Sequence, residues 1–292
     1  MKGLIVVNAY APATDTRQVV RMREELLKLG VTTDAVLNDK FFARVLSGEI
    51  ADFSRGYDFC LYLDKDKYAS RALSKYIRLF NSADAVERCD DKMTTHLLLD
   101  GSGIPMPDTV AGLLCYDKTA KIKDESVNKI TDALGLPVVV KQAYGSMGTG
   151  VFKADTTEQL KSLMERFKCE PHLFQRYIAS SEGRDLRVIV VGGKVLGGIE
   201  RRSNGDFRSN IGLGGSAKKA DVPDEVQSYA LTAAKVLGLD YCGIDFLYGE
   251  KFLLCEVNSN AFFDAFEHAT EINVAAAYAR HIVQTIDKDG KQ

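Results

Sequence analysis

Apolar residues along the chain gather in short dense runs separated by amphipathic stretches, and this alternation sets the order of elements. Residues 3–8 read as a buried strand, and residues 16–29 as a helix with Val19, Val20, Met22, Leu26 and Leu27 at helical spacing. Thr14 or Asp15 could cap that helix and Gly30 ends it. Residues 31–37 and 58–63 read as further strands, with a helix over about 70–80 behind them. Strands alternating with helices predict a small open parallel sheet covered by helices. From Ala85 the character changes, and a first domain boundary is placed there. A helix over about 90–100 is closed by Gly101-Ser102-Gly103, and strands are expected at 108–111, 136–141 and 151–153. A helix at 157–167 precedes strands at 173–178, 186–191 and 194–200. Helices at 223–237 and about 273–286 follow, with a frayed tail at 287–292.

Two aromatic-rich apolar runs, 241–248 and 251–258, flank Gly249-Glu250 and read as a β-hairpin. With that pair as the connection, Tyr248 faces Lys251 and Asp245 faces Leu254. Asp245 then shares a sheet face with Glu256 and Asn258, across a diagonal of about 7–8 Å or less. Two carboxylates and an amide on otherwise apolar strands need compensation, and hard oxygen donors suit Mg²⁺. The alternative is a polar strand face turned to water.

The stretch 142–150 (Gln-Ala-Tyr-Gly-Ser-Met-Gly-Thr-Gly) follows a buried strand ending in Lys141. Its glycines let successive N–H groups approach an anion, and the lysine can neutralise phosphate. The spacing is not a Walker A box, and no glycine fingerprint follows the first strand. A strand–loop–strand layout fits a flap over a nucleotide; a plain flexible loop fits it as well. The basic segment from Arg201 to Asn210 suits guanidinium recognition of phosphate or carboxylate, with an exposed charged loop as the alternative. Asn8, Ala9 and Tyr10, at the end of the first strand, are turn residues that could also border a substrate.

At 292 residues, 46% apolar and 27% charged, the chain is long enough for two or three subdomains of an ordinary globular protein. A net charge of −2, from 38 basic and 40 acidic residues, gives no electrostatic case for nucleic acid or a membrane surface. The apolar start is too short for a signal peptide, and no run is long enough to span a membrane. Six cysteines without metal-ligand spacing point to a reduced, cytoplasmic protein.

Together these pieces resemble the ATP-grasp superfamily, specifically the RimK-type α-L-glutamate ligases. The markers are Arg88-Cys89-Asp90-Asp91-Lys92, Val139-Val140-Lys141 with its glycine loop, Gln175-Arg176-Tyr177-Ile178 and Gly183-Arg184-Asp185-Leu186-Arg187. Glu200-Arg201-Arg202, Gly205-Asp206-Phe207-Arg208-Ser209-Asn210, Gly243-Ile244-Asp245 and Glu256-Val257-Asn258 complete them. The resemblance implies an α/β (α+β) molecule, an ATP-grasp fold preceded by a small open parallel α/β domain. Its divisions would be a pre-ATP-grasp domain at 1–85, a central subdomain with the flap at 86–172, and a C-terminal subdomain with the Mg²⁺ site at 173–292.

It further implies that Lys92 and Lys141 contact ATP phosphates under a flap that includes Gly145, Ser146, Met147 and Gly148. Gln175, Arg176, Tyr177 and Ile178 would meet adenine, with Asp185 further along the nucleotide-binding stretch. Arg208 and Asn210 would steady the γ-phosphate and an acyl phosphate. Asp245, Glu256 and Asn258 would hold two Mg²⁺ ions, for which Mn²⁺ could substitute. Arg187, Arg202 and Asn260 would lie on the substrate side.

The implied activity is an ADP-forming ligase that joins a carboxylate to an amine through an acyl phosphate. It would add a glutamate-like amino acid to a small molecule, peptide or protein, and a dimer or tetramer is expected. Two positions depart from the pattern. Arg176 replaces an acidic residue, and Ser259-Asn260-Ala261 stands where those ligases carry Ser-Pro-Gly, which leaves the transferred amino acid open. The competing readings are a catalytically silent ATP-binding regulator and, less well matched, an RNA-binding protein.

Overall fold

The computed structural model describes residues 1–45, 48–146, 148–209 and 215–290. Its first unit is a parallel sheet of order β2-β1-β3-β4, formed by β1 (Lys2–Val7), β2 (Thr32–Leu37), β3 (Phe59–Leu63) and β4 (Leu79–Phe80). Helices α1 (Arg17–Lys28), α2 (Glu49–Ser54) and α3 (Lys67–Leu73) connect these strands. The helix expected over 70–80 starts and stops earlier. Asp66 caps it by accepting from the Ala69 N–H, and the chain then leaves it for the two-residue strand β4.

The helix expected over 90–100 is two helices, α4 (Ala83–Asp90) and α5 (Lys92–Leu99). Each has its own cap. Ser82 accepts from Ala85 N, and Asp91 accepts from both Met93 N and Thr94 N. A cap in the middle of an apolar pattern breaks it in two.

A second sheet of order β5-β8-β6-β7 contains β5 (Thr109–Ala111), β6 (Val138–Gln142), β7 (Val151–Ala154) and β8 (His172–Arg176). Helices α6 (Asp124–Leu134) and α7 (Thr157–Phe167) cover it through Val127, Ile130, Leu160 and Phe167. Because β8 pairs with β5 and β6, a division at 172/173 would separate it from its own sheet; the sheets change after Arg176.

The third sheet, β11-β10-β9-β12-β13, is antiparallel. Its strands are β9 (Arg184–Val191), β10 (Lys194–Arg202), β11 (Ser216–Ala220), β12 (Tyr241–Tyr248) and β13 (Phe252–Asn258). Both faces are covered. Leu186, Val188 and Val190 pack with α8 (Asp224–Leu237) and with Ala85, Cys89 and Leu99 of α4 and α5. Ile189 and Val191 point the other way, toward α9 (Asp264–Thr270) and α10 (Val274–Asp289), and join a core shared with α1 and β1. The N-terminal unit is therefore fastened to the third sheet through α10.

The β12–β13 hairpin turns through three residues, Gly249-Glu250-Lys251, so Tyr248 pairs with Phe252 instead of Lys251. A bulge at Cys255 then absorbs one residue and sets Asp245 directly opposite Glu256. The shared face expected for Asp245, Glu256 and Asn258 is retained, although Asp245 does not face Leu254.

Candidate nucleotide and metal site

The expected site residues converge where the β6–β7 hairpin faces the β12–β13 hairpin, with the start of α5 between them. Lys92 opens α5, and its Nζ donates to the Gly145 carbonyl at 2.8 Å and lies 3.8 Å from Glu256 Oε1. It is only 9% exposed, and burial lowers its pKa, with the Glu256 carboxylate opposing that trend. A cation at a helix N-terminus also meets the positive end of the helix dipole. Lys92 thus stands where neither burial nor the helix favours a cation.

Lys141, at the end of β6 and 7% exposed, donates to the Cys255 sulfur at 3.3 Å. Burial pushes the Cys255 thiol up, so Lys141 faces a neutral thiol in place of a carboxylate. Beneath this pair runs a buried polar chain. The Gln175 Nε2 donates to Thr109 Oγ1 at 2.9 Å and lies 3.3 Å from His96 Nε2, while His96 Nδ1 lies 3.2 Å from the Met106 sulfur. Burial, with Lys141 adding to it, lowers the His96 pKa to about 4, so the ring is neutral near pH 7.

In the glycine segment, Gly145 (φ 134°) and Gly148 (φ 73°) adopt backbone conformations that favour glycine. Arg208 reaches this segment. Its Nη1 donates to the Gly148 carbonyl at 2.5 Å, and its Nε and Nη2 bind the Asp206 carboxylate at 3.0 and 2.6 Å. Ser146 is exposed, whereas Met147 and Asn210 lie outside the described residues. Residues 175–178 carry the chain from the second sheet to the third. Arg176 points outward to Asp108 at 2.6 Å, and Lys153 Nζ stands 5.2 Å from the Tyr177 ring centre.

On one face of the third sheet, four charges form a closed set. Arg187 binds Asp245 through two bonds of 2.7 Å, and Arg201 binds Asp185 at 2.7 and 2.5 Å. The Arg201 Nη2 is also 2.9 Å from Asp245 Oδ2, and Ser209 donates its hydroxyl to Asp185. Burial opposes the Asp245 charge, but the two guanidiniums outweigh it and hold its carboxyl below the usual range. Two arginines and two aspartates compensate one another, which leaves Glu256 outside the balance. Its side chain is 31% exposed. Asn258, two residues on, has a buried amide nitrogen without a hydrogen-bond partner among the described residues.

The donor chemistry fits Mg²⁺. Glu256 and Asn258 project together and offer hard oxygen atoms, whereas the Asp245 carboxylate opposite them, expected as a third ligand, has both oxygens bonded to Arg187 and Arg201. Among the described residues, no group of three or more His, Cys, Asp or Glu side chains is arranged to hold a metal by itself. One carboxylate and one amide leave coordination positions for phosphate and water, the usual company of Mg²⁺.

The substrate-side residues separate. Arg187 is committed to Asp245, whereas Arg202, half-exposed, binds Glu200 at 2.6 Å. Asn260 accepts from Gln18 of α1 at 3.5 Å. Phe263 is buried in the core, and Phe262 is exposed. Asn8 and Asn38 both donate to Asp64, at 3.0 and 2.6 Å, and close a turn cluster at the end of the parallel sheet. Neither Cys255 nor the structural weight of Arg201 shows in the sequence. Only the β9–β10 register and the bulge reveal them.

An antiparallel sheet with a glycine hairpin facing a carboxylate hairpin, preceded by a parallel α/β unit, is the ATP-grasp architecture. ATP-grasp ligase PsnB complexed with minimal precursor, Mg and ADP has the same fold, with a TM-score of 0.69, 17% identity and 98% of both chains covered. Residues 89–282 match the model of the RimK-like ATP-grasp domain, and the chain belongs to that family. Beta-citrylglutamate synthase B of Danio rerio is 37% identical over 228 residues, covering 76% of this chain and 55% of the relative. Ribosomal protein bS6–L-glutamate ligase of Escherichia fergusonii is 35% identical over 223 residues, covering 74% of this chain and 72% of that protein. The chain thus spans little more than half the length of the first of these relatives.

Proposed function

We propose that the protein is an ADP-forming, ATP- and Mg²⁺-dependent ligase that joins a carboxylate to an amine. The observation that carries this reading is the pair of buried lysines. Lys92 and Lys141 are held by a carbonyl, a thiol and a carboxylate 3.8 Å away, partners too weak for two buried ammonium groups. A triphosphate lying between them supplies the missing negative charge.

In this reading Lys92 and Lys141 exchange their present partners for phosphate oxygens, and the glycine segment closes over them. Arg208 leaves the Gly148 carbonyl to steady the γ-phosphate, and Asn210, outside the described residues, is assigned to the acyl phosphate. Gln175, Arg176, Tyr177 and Ile178 meet the adenine, mainly through backbone. Asp185 acts on the nucleotide side by fixing Arg201. Glu256 and Asn258 would hold Mg²⁺, two ions in all, with Mn²⁺ able to replace them, while Asp245, its two oxygens taken by Arg187 and Arg201, would back the site from beneath. Bound there, Mg²⁺ neutralises and aligns the phosphates.

The substrate carboxylate attacks the γ-phosphorus, and the bond to the β-phosphate oxygen breaks, giving ADP and an acyl phosphate. The amine then attacks the acyl carbon, phosphate leaves, and the amine proton passes to solvent. Arg208 offsets the charge when the two anions meet. No covalent enzyme intermediate is required.

The relatives' names favour glutamate as the amine, added to an anionic small molecule, peptide or protein. Arg187, Arg202 and Asn260 are the candidate substrate-side groups, without direct nucleic-acid contact. No helix among the described residues is long and apolar enough to cross a membrane; we place the protein in the cytoplasm, as a dimer or tetramer. The test is incubation with ATP, Mg²⁺, glutamate and pools of carboxylate acceptors, following ADP and new amides by mass spectrometry. Acceptor-dependent ADP release with a matching amide is expected. ATP binding without release in any pool would overturn catalysis in favour of a silent nucleotide-binding regulator.

A further inference from the structure

Asn81 lies outside every element assigned to the reaction, yet it is 2% exposed and uses its whole amide. Its Oδ1 accepts from Asp240 N at 2.7 Å and from Tyr241 N at 3.0 Å. Its Nδ2 donates to the Tyr241 and Ser259 carbonyls, each at 2.7 Å. Two acceptor positions and two protons are all that a primary amide offers, so the group is saturated.

The four bonds are placed where the sheet runs out. The β12–β13 ladder ends at the pair Gly243 with Asn258, so beyond it nothing in the ladder holds the two strands together. Asn81 bridges that gap, joining the first residue of β12 to the residue immediately after Asn258. Tyr241 adds a second tie by donating its hydroxyl to the Ala261 carbonyl at 2.6 Å. The backbone on the far side of Asn258 is therefore fixed from the N-terminal unit, while its buried side-chain nitrogen has no partner among the described residues. Asn81 also directly precedes Ser82, the cap of α4, so one loop serves both the helices leading to Lys92 and the hairpin carrying Glu256.

We propose that Asn81 is a positioning residue for the metal site. By fixing the backbone at Ser259 it aims the Asn258 amide, and with it Glu256, at the divalent ion. This rests on the assignment of Glu256 and Asn258 as metal ligands. Groups that orient metal ligands typically change affinity by about 10–100-fold when replaced.

Binding of Mn²⁺ to the complex with the ATP analogue AMPPNP would be followed by calorimetry and by the Mn²⁺ paramagnetic resonance signal, in wild type, Asn81→Asp and Asn81→Ala. Asn81→Asp keeps the acceptor toward Asp240 and Tyr241 but sets an oxygen against two carbonyls. Both variants should bind Mn²⁺ at least about tenfold more weakly, while metal-free AMPPNP binding in EDTA, which depends on the lysines, stays unchanged. Folded variants with wild-type Mn²⁺ affinity and only a lowered melting temperature would overturn the inference. Should neither variant fold, the wild-type protein still decides. Amide exchange at Asp240 and Tyr241 should slow when Mn²⁺ and AMPPNP bind, because coupling is reciprocal, and unchanged exchange would refute it. Wild type showing no Mn²⁺ binding at all would remove the metal assignment itself, a different failure.

Discussion

The two hairpins that face each other across the site are held by opposite means. The β6–β7 hairpin is tied to the rest of the site by uncharged partners, the Gly145 carbonyl to Lys92, the Gly148 carbonyl to Arg208 and the Cys255 thiol to Lys141. The β12–β13 hairpin is tied by buried side-chain charges, with Asp245 clasped by Arg187 and Arg201. Carbonyl contacts can be exchanged for phosphate at little cost, because each cation gains a full negative charge. A buried carboxylate clamp cannot be opened without leaving charges unpaired. The contrast separates the cations that can move to a ligand, Lys92, Lys141 and Arg208, from those that fix the floor beneath it, Arg187 and Arg201.

The sharpest way to break this contrast lies within one hairpin. Glu256→Ala should lower ADP release by about a thousandfold or more, ~4 kcal/mol, with a smaller loss of stability than Asp245→Ala, since Glu256 is 31% exposed and makes no direct bond to Arg187 or Arg201. A variant retaining wild-type turnover would remove Glu256 from the metal site. Asp245→Ala should behave differently. It leaves two buried guanidiniums with one carboxylate fewer and should cost about 3–5 kcal/mol of stability, read by urea unfolding, in addition to losing activity. Equal stability of the two variants would erase the distinction between floor and site.

His96 tests the buried chain beneath Lys141. Its folded pKa of about 4 lies below the ordinary 6.5, so the unfolded chain takes up the proton first as the pH falls. Stability from this group is therefore complete above pH 6.5, declines between 6.5 and 4, and is level below that. The loss amounts to about 3 kcal/mol. Denaturation midpoints should follow this slope in wild type, and His96→Leu should flatten it. A slope that survives the substitution would assign it elsewhere. Smallest of all, Lys141→Ala should weaken AMPPNP binding by about 10–100-fold, ~1.4–2.7 kcal/mol. An unchanged dissociation constant would show that Lys141 does not meet phosphate.

The sequence revealed more of the glycine hairpin than of the carboxylate one, for a physical reason. Glycines and a lysine at the end of an apolar strand are local signals, and the flanking strands and α7 lie close to where periodicity put them. The arrangement around Asp245 is not local. The bulge at Cys255 moves its partner from Leu254 to Glu256, and the pairing of Arg201 with Asp185 depends on the β9–β10 register. Neither leaves a mark in residue spacing. The break at Asp91 was hidden because its side chain caps α5 inside an unbroken apolar pattern. α2, β4, β11 and α9 are too short to mark the sequence, whereas α6 is legible in Val127, Ile130 and Leu134 at helical spacing and is absent from the expected elements. The shared face of Asp245, Glu256 and Asn258 survived the register error because opposite and diagonal neighbours lie on the same side of a sheet.

If a triphosphate and its metal lie between the two hairpins, a crystal grown with Mn²⁺ and AMPPNP will show both there. The expected result is an anomalous Mn²⁺ peak about 2.0–2.2 Å from oxygens of Glu256 and Asn258, with Lys92, Lys141 and Arg208 turned from their present partners onto phosphate. A nucleotide bound elsewhere, or a metal peak with Glu256 and Asn258 facing away from it, would contradict the account.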